Sequence, residues 1–263
     1  MSKPAPTTYL IADLHLQDER PETTRLFVEF LDGPARQAGT LYILGDLFEA
    51  WVGDDAPGRL GRLVARHLKN LAESGTQILF ICGNRDFLLS RDFCGQAGMT
   101  WLEEPRIVEQ AGEPILLLHG DVLCTDDISY QNFRRKVRDP DWQQRILSRP
   151  VWWRRLLARL ARLMSRRHTG TTEATIMDVN PQAVAEAFRT HDVRRMIHGH
   201  THRRAIHDLQ IDQRHCQRIV LGDWHETGSV VRLLDDEVAM LIVTRDDNQA
   251  VELRLQETAA PLA

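Results

Sequence analysis

Five short segments of this 263-residue chain each end an apolar run in residues that can bind metal. They are Asp13-Leu14-His15, Gly45-Asp46, Gly83-Asn84-Arg85-Asp86, His119-Gly120-Asp121 and Gly199-His200-Thr201-His202. The runs before them, residues 8–12, 40–44, 77–82, 115–118 and 195–197, have the length and aliphatic content of buried strands. One such segment would constrain little. An Asp-x-His at a strand end commonly caps or turns the chain, a lone buried His is ordinarily a satisfied core residue, and Asn84 beside Gly83 suits a turn. Five in succession call for a sheet whose strand ends converge on one crevice.

Between these runs lie helical patterns. Residues 22–38 are amphipathic around Phe27, Phe30 and Leu31. Residues 59–74 repeat Leu60, Leu63, Val64, His67, Leu68 and Leu71 at close to 3.6 spacing, with Gly75 in the position favoured after a helix. Residues 181–190 predict another helix, with Pro181 in its first turn and Asn180 as its cap. Strand–helix alternation argues an α/β fold with a mostly parallel inner sheet. After His202 the pattern changes to five successive strand-like runs, residues 205–211, 217–221, 229–234, 238–244 and 250–255. Asp235-Asp236 and Asp246-Asp247-Asn248 punctuate the later ones. This C-terminal part reads as antiparallel. With no internal repeat or linker, the chain reads as one domain over residues 1–263.

Seven donors stand at the strand ends: Asp13, His15, Asp46, Asn84, His119, His200 and His202. Carboxylate, amide carbonyl and imidazole together suit Mn, Fe or Zn. They argue against an all-oxygen Ca or Mg cage and against a thiolate zinc site. Seven are too many for one ion and suit two ions sharing a bridging carboxylate. Such a pair can clamp the attacking and departing oxygens of a phosphoryl transfer. His198 lies two residues before His200 and reads as a supporting residue rather than a ligand. His67, His191 and His215 fall in helical or turn contexts and are given no role.

The four cysteines form no C-x-x-C pair, and no secretory signal precedes the first strand, so reduced thiols and a cytoplasmic protein are expected. The net charge of −4 hides an asymmetry: residues 142–172 hold eight Arg and no Asp or Glu, leaving 25 basic against 37 acidic residues elsewhere. Within this block, residues 151–167 predict a basic amphipathic helix. Trp153, Leu156, Leu157, Leu160, Leu163 and Met164 lie on one face and Arg155, Arg159, Arg162 and Arg166 on the other. An interfacial helix with its arginines toward lipid headgroups has this pattern. So does a lid packing its Leu face on the body of the protein. Nucleic acid is disfavoured by the acidic remainder.

D-x-H, G-D, G-N-x-D, an apolar strand ending in H-G-D, and G-H-x-H together resemble the signature of the calcineurin-like metallophosphoesterases, over roughly residues 8 to 225. The resemblance implies a β-sandwich flanked by helices. It makes Asp46 the bridging ligand, with Asp13, His15 and His202 on one ion and Asn84, His119 and His200 on the other. Many members carry G-N-H-D/E, whose His can protonate the leaving group. Here Arg85 stands in that place, and an arginine binds phosphate but cannot act as an acid near neutrality.

That departure is shared by a narrower family. The runs Leu44-Gly45-Asp46-Leu47-Phe48-Glu49-Ala50-Trp51, Gly53-Asp54-Asp55, Gly83-Asn84-Arg85-Asp86-Phe87-Leu88-Leu89, His119-Gly120-Asp121, Leu123-Cys124-Thr125-Asp126-Asp127, Ile176-Met177-Asp178-Val179-Asn180 and His198-Gly199-His200-Thr201-His202-Arg203 resemble the UDP-2,3-diacylglucosamine diphosphatases of lipid A synthesis. The resemblance implies a hydrolase with two Mn2+ that attacks the α-phosphate with a metal-activated hydroxide, giving UMP and 2,3-diacylglucosamine 1-phosphate. Catalytic roles fall on Asp46, Asn84, Arg85 and His119. Substrate contacts fall on Asn84, Arg85, Asp127 and His200, and on Ser165, Thr169 and Thr172 of a helical lid insertion over residues 126–175. Where that family has Asn and Lys, this chain has Thr169 and Thr172. A monomer held at the cytoplasmic face of the inner membrane by helix 151–167 is expected. Other readings remain: a phosphoesterase acting on a soluble nucleotide or dinucleoside polyphosphate, a nuclease, or a metal-free scaffold.

Overall fold

The computed structural model describes residues 7–171 and 178–262, with residues 163–171 described by backbone alone. The first part of the chain runs β1 (Thr8–Ile11), α1 (Pro21–Asp32), β2 (Thr40–Leu44), α2 (Gly58–Glu73), β3 (Gln77–Ile81), α3 (Arg91–Gln96), β4 (Met99–Leu102), β5 (Arg106–Gln110) and β6 (Glu113–Leu117). Three helices follow without an intervening strand: α4 (Ile128–Val137), α5 (Pro140–Leu147) and α6 (Val151–Thr171). The last part is α7 (Pro181–His191), β7 (Arg195–His198), β8 (Ala205–Ile211), β9 (Arg214–Val220), β10 (Gly228–Leu234), β11 (Glu237–Arg245) and β12 (Val251–Thr258).

The strands form two facing sheets, ordered β12-β11-β10-β1-β2-β3-β4 and β5-β6-β7-β9-β8. β1 to β4 are parallel, and so are β6, β7 and β9. The five late runs therefore do not make one meander. β8 and β9 form a hairpin in the second sheet, while β10, β11 and β12 complete the first. Residues 221–227 cross between the sheets, a connection that local patterning cannot reveal.

Strand alternation builds three layers. Leu10, Leu44, Ile81, Ile115, Leu117, Ile197, Ile219, Val231 and Met240 point between the sheets. Their neighbours Tyr9, Ile11, Leu41 and Ile43 point outward to meet Phe27, Phe30 and Leu31 of α1 and Val64, Leu68 and Leu71 of α2. On the far side Leu116, Leu118 and Met196 pack against Val184 and Phe188 of α7. Each fully buried side chain of this size contributes about 1.5–3 kcal/mol. Asn180 caps α7 as its position suggests, accepting from the Gln182 and Ala183 amides at 2.9 and 3.0 Å. The first helix is shorter than its apolar pattern. It stops at Asp32 because Gly33 and Pro34 follow, and residues 34–37 form a separate 3-10 turn.

The insertion between β6 and α7 is fastened at two places. Arg154 of α6 is only 4% exposed. It donates to the Val52 carbonyl and both Asp55 carboxylate oxygens, and from Nε to the Arg149 carbonyl at 2.9 Å. At the other end, Tyr130 and Arg134 of α4, with Arg138 just past its end, reach the strand-end loops. Among the described residues, no helix is long and apolar enough to cross a membrane.

Candidate metal centre

The seven donors sit where strands of both sheets end at the same edge, and the backbone there is bent to bring them inward. Asp13, His15, Asp46, His200 and His202 all adopt left-handed φ, between 48° and 69°. For residues with a Cβ this costs on the order of 1 kcal/mol or more each. The strands continue to pair beyond their regular length: the Asp13 amide donates to Gly45 O at 3.1 Å and the His15 amide to Asp46 O at 3.0 Å. Gly45, at φ +90°, lies so close to the next loop that a Cβ would stand 2.7 Å from Gly83 Cα and 2.5 Å from His119 Nδ1. A Cβ on Gly199 would collide with the Asp13 carboxylate.

The donors divide into two groups around Asp46. On one side, Asp46 Oδ2 faces His15 Nε2 at 3.7 Å, His15 Nε2 is 3.2 Å from His202 Nε2, and His202 Nε2 is 3.5 Å from Asp13 Oδ1. On the other, Asp46 Oδ1 faces His119 Nε2 at 3.8 Å, and Asn84 Oδ1 lies 2.8 Å from His119 Nε2 and 3.0 Å from His200 Nδ1. One carboxylate thus offers an oxygen to each group, the placement a bridging ligand needs. The sets Asp13–His15–His202 and Asp13–Asp46–His119 each bring their ligand atoms within 4.8 Å of one another. Asp13 Oδ1 is buried without a hydrogen-bond partner among the described residues, a loss that a cation would offset.

The remote ring nitrogens are held too. His15 Nδ1 lies 3.0 Å from Glu49 Oε2, His202 Nδ1 lies 3.5 Å from Asp223 Oδ2, and His119 Nδ1 lies 2.8 Å from the Leu44 carbonyl. These contacts fix ring orientation, as the outer partners of metal-binding histidines do. His198 is excluded as a donor. Its Nδ1 faces the Gly199 carbonyl at 2.8 Å and its Nε2 faces Arg218 at 3.2 Å. Burial, with Arg218 adding to it, pushes its pKa down to about 3.

The field in the cluster is that of a site built for positive charge. Burial alone would raise Asp13, but His202, His119 and His15 outweigh it and hold the carboxyl at about 2. Burial alone would lower His119 and His202. Asp46 and Asp13 lift the first to about 9, and Asp13 and Asp223 lift the second to about 10. His200 stays low, at about 4, through burial and the neighbouring His119. The acids around His119 and His202 thus favour positive charge on both rings, as they would favour a bound cation.

Residues 6–204 match the calcineurin-like phosphoesterase family. The chain belongs to that family. A UDP-2,3-diacylglucosamine hydrolase of Stenotrophomonas maltophilia is 50% identical over 234 residues, covering 86% of this chain and 94% of that one. A UDP-2,3-diacylglucosamine hydrolase of Escherichia fergusonii is 47% identical over 234 residues, covering 89% and 98%. Among solved structures, Vacuolar Protein Sorting 29 from Cryptosporidium parvum is similar at a TM-score of 0.50 and 12% identity, covering 98% of this chain and 100% of that one. That likeness concerns the fold alone.

In this phosphoesterase Arg85 lies beside the centre. Its amide donates to Asp46 Oδ1 at 2.8 Å, and its Nε is buried without a partner among the described residues. Asp127 caps α4, accepting from the Tyr130 amide at 2.9 Å and the Ser129 hydroxyl at 2.8 Å, so the residue expected to touch substrate also starts the insertion. The side chains of Ser165 and Thr169, and all of Thr172, lie outside the described residues.

Of the arginine stripe of α6, Arg155 and Arg159 are exposed and Arg162 is half-buried. Arg155, Arg159 and Arg162 line a cleft of about 430 Å³ with Leu16, Glu49, Trp51 and Arg59. Trp152, Leu156 and Leu160 are exposed too, at 67%, 49% and 49%. Arg154 fastens the helix to Val52 and Asp55, a contact that a sequence pattern cannot show. All four cysteines are buried, and burial pushes the thiols of Cys94 and Cys124 up to about 12, so they do not compete as ligands.

Sequence reasoning gave no role to several supporting groups. Asp86 accepts from the Leu47 and Gly83 amides, both at 2.7 Å, and so ties the Asp46 loop to the Asn84 loop. Its signal lay in the G-N-x-D run. Asp223 follows β9 in Leu221-Gly222-Asp223, the same form as Leu44-Gly45-Asp46, and is in effect a sixth strand-end segment. Glu104, Arg134 and Arg138 carry no comparable local pattern.

Proposed function

We propose that this phosphoesterase hydrolyses the diphosphate of a UDP-linked diacylated glucosamine lipid, giving UMP and the sugar 1-phosphate. Family membership and the donor cluster make the chain a metal-dependent hydrolase. The observation that carries the finer reading is the Arg85-flanked centre opening beside an arginine-lined cleft, taken with the substrate named for relatives at 47–50% identity.

The donor set fits two divalent ions, Asp13, His15 and His202 toward one and Asn84, His119 and His200 toward the other, with Asp46 shared. Mn2+ suits these ligands. Once bound, such ions supply a nucleophile from water at neutral pH and positive charge at the phosphoryl group. The chain's own residues do the rest. Arg85 neutralises charge on the phosphoryl oxygens. Asn84 and His200 orient the α-phosphate, and Arg155, Arg159 and Arg162 hold the anionic headgroup in the cleft. No side chain need donate a proton, since a sugar phosphate leaves readily. Asp127 begins the insertion, residues 126–175, which would close as a lid over the headgroup, and Ser165, Thr169 and Thr172 within it would contact substrate.

Hydrolysis in oxygen-18 water tests the direction of attack. Label is expected in UMP, and label in the lipid phosphate would overturn it. Assay of a simple aryl phosphate beside the lipid substrate, with Mn2+ and with chelator, tests the substrate class. Equal turnover of both would favour a soluble substrate.

All seven donors come from one chain, which supports a monomer at work. The exposed Trp152, Leu156 and Leu160, with the exposed Arg155 and Arg159 beside them in sequence, support peripheral attachment to the cytoplasmic face of the inner membrane. Flotation with anionic vesicles should fall for a variant with all three changed to Asp. Unchanged flotation would remove the membrane from the reading.

A further inference from the structure

The donors of the Asn84 group come from both sheets: Asn84 follows β3 of the first, while His119 and His200 follow β6 and β7 of the second. Something must hold these loops in register, because Asn84 Oδ1 has to meet two rings at 2.8 and 3.0 Å. Side chains at residues 130, 134 and 138, spaced by four along and just past α4, face that junction. Arg138 donates to the Cys82 carbonyl at 3.0 Å and the Gly83 carbonyl at 3.2 Å, the two peptides that lead into Asn84. On the opposite side of the same loop the Gly83 amide is held by Asp86.

Arg138 also lies 3.9 Å from both Glu104 and Asp121. Glu104 accepts the backbone amide of His119 at 2.8 Å. Arg134 joins the same two acids, at 2.9 Å to Asp121 and 3.2 Å to Glu104, and the Tyr130 hydroxyl donates to Asp121 at 2.8 Å. The Tyr130 ring lies 5.7 Å from that of His200. One buried network therefore runs from the first loop of the insertion to Asn84, to the His119 backbone and to the His200 ring.

We propose that Arg138 is a positioning residue for the Asn84–His119–His200 metal site, and that through it the root of the insertion controls occupancy of that site and not of its neighbour. Arg138 does not touch the ion or substrate. It fixes the peptide planes on which Asn84 is presented, while Glu104, held by Arg134, fixes the presentation of His119. Removing an outer partner of a metal site weakens the ion by about 10- to 100-fold. Here the loss falls on one half of the pair. This inference rests on the dinuclear reading above.

The test is titration of the full chain with Mn2+, followed by calorimetry and electron paramagnetic resonance. Wild-type protein binds two ions and gives the signal of a magnetically interacting pair. Arg138→Met should keep one ion at wild-type affinity, lose the second by about 10- to 100-fold, and show the signal of isolated Mn2+. Arg138→Lys keeps a charged donor for the carbonyls that one guanidinium nitrogen now serves but is a shorter side chain, so it should fall between the two. It also serves as the variant to read if Arg138→Met does not fold. Two full-affinity ions in Arg138→Lys and Arg138→Met, or equal weakening of both ions, would overturn the proposal. Fewer than two ions in the wild-type chain would instead overturn the dinuclear reading.

Discussion

Around Asp13, His15 and His202 the supporting groups are carboxylates set just past the strands, Glu49 and Asp223. Around Asn84, His119 and His200 they are the Leu44 carbonyl and the buried acid–arginine network rooted in α4. The first half is finished by the sandwich itself. The second is finished only when the insertion is in place. A carboxylate behind an imidazole also makes the ring a stronger donor than a carbonyl does, so the first half should fill first. Evolution of the insertion can then change how the second site responds to substrate without disturbing the first.

The largest effect should come from the one ligand the halves share. Asp46→Asn keeps a residue that tolerates left-handed φ, so circular dichroism should report a folded chain. Hydrolysis should fall by more than ~100-fold, beyond the range of outer-partner changes. Wild-type turnover would mean that Asp46 does not join the halves.

Next is Trp224, fully buried beside Asp223 and edge-on to Phe27 and Phe30 at 5.8 and 5.5 Å. Trp224→Ala should cost about 3–5 kcal/mol in urea unfolding. It should also loosen the ion near His202 more than the ion near His119. A loss confined to stability would separate the packing of Trp224 from the bracing of His202.

Glu49→Gln sharpens the contrast from the other side. It should weaken the ion at His15 by about 10- to 100-fold and leave the Asn84 site unchanged, the mirror of Arg138→Met. Mn2+ titration reads it directly, and equal weakening would mean that the halves are not separately supported.

Both halves should surrender a proton when metal binds, since His119 and His202 are lifted to about 9 and 10. A raised histidine pKa stabilises the metal-free fold fully below its unfolded value near 6.5, and that contribution fades as pH rises through about 9 to 10. Metal must displace those protons, so apparent Mn2+ affinity should rise between about pH 7 and 9. Calorimetry in buffers of different ionisation enthalpy should count more than one proton released per chain. A flat profile would place the protons elsewhere.

The smallest effect is expected at Asp55, whose side chain is 58% exposed. Asp55→Ala should cost about 1 kcal/mol but free the end of α6, detected as faster proteolysis within the insertion. Unaltered cleavage would assign the fastening to the Val52 carbonyl alone.

The seven donors were legible in the sequence because each ends an apolar strand, and strand ends on one edge must meet. The core was legible for the same reason: the alternation of Tyr9, Leu10 and Ile11 already sorts outer from inner faces. Asp223 carried the same mark and was passed over. Arg138 could not be found this way. Its role depends on α4 lying across two loops from different sheets, and nothing local to Arg138 records that approach. The cleft that Arg155, Arg159 and Arg162 line was hidden too, because an amphipathic pattern tells which residues share a face but not what that face meets.

The left-handed backbone at five of the seven donors bears on protein engineering. Grafting these side chains onto regular strand ends of another scaffold would aim them along the strands, away from a common centre. A designer would have to transplant the bent loops, with Gly45 and Gly199 making room for them, and supply a core stable enough to absorb the strain of all five turns.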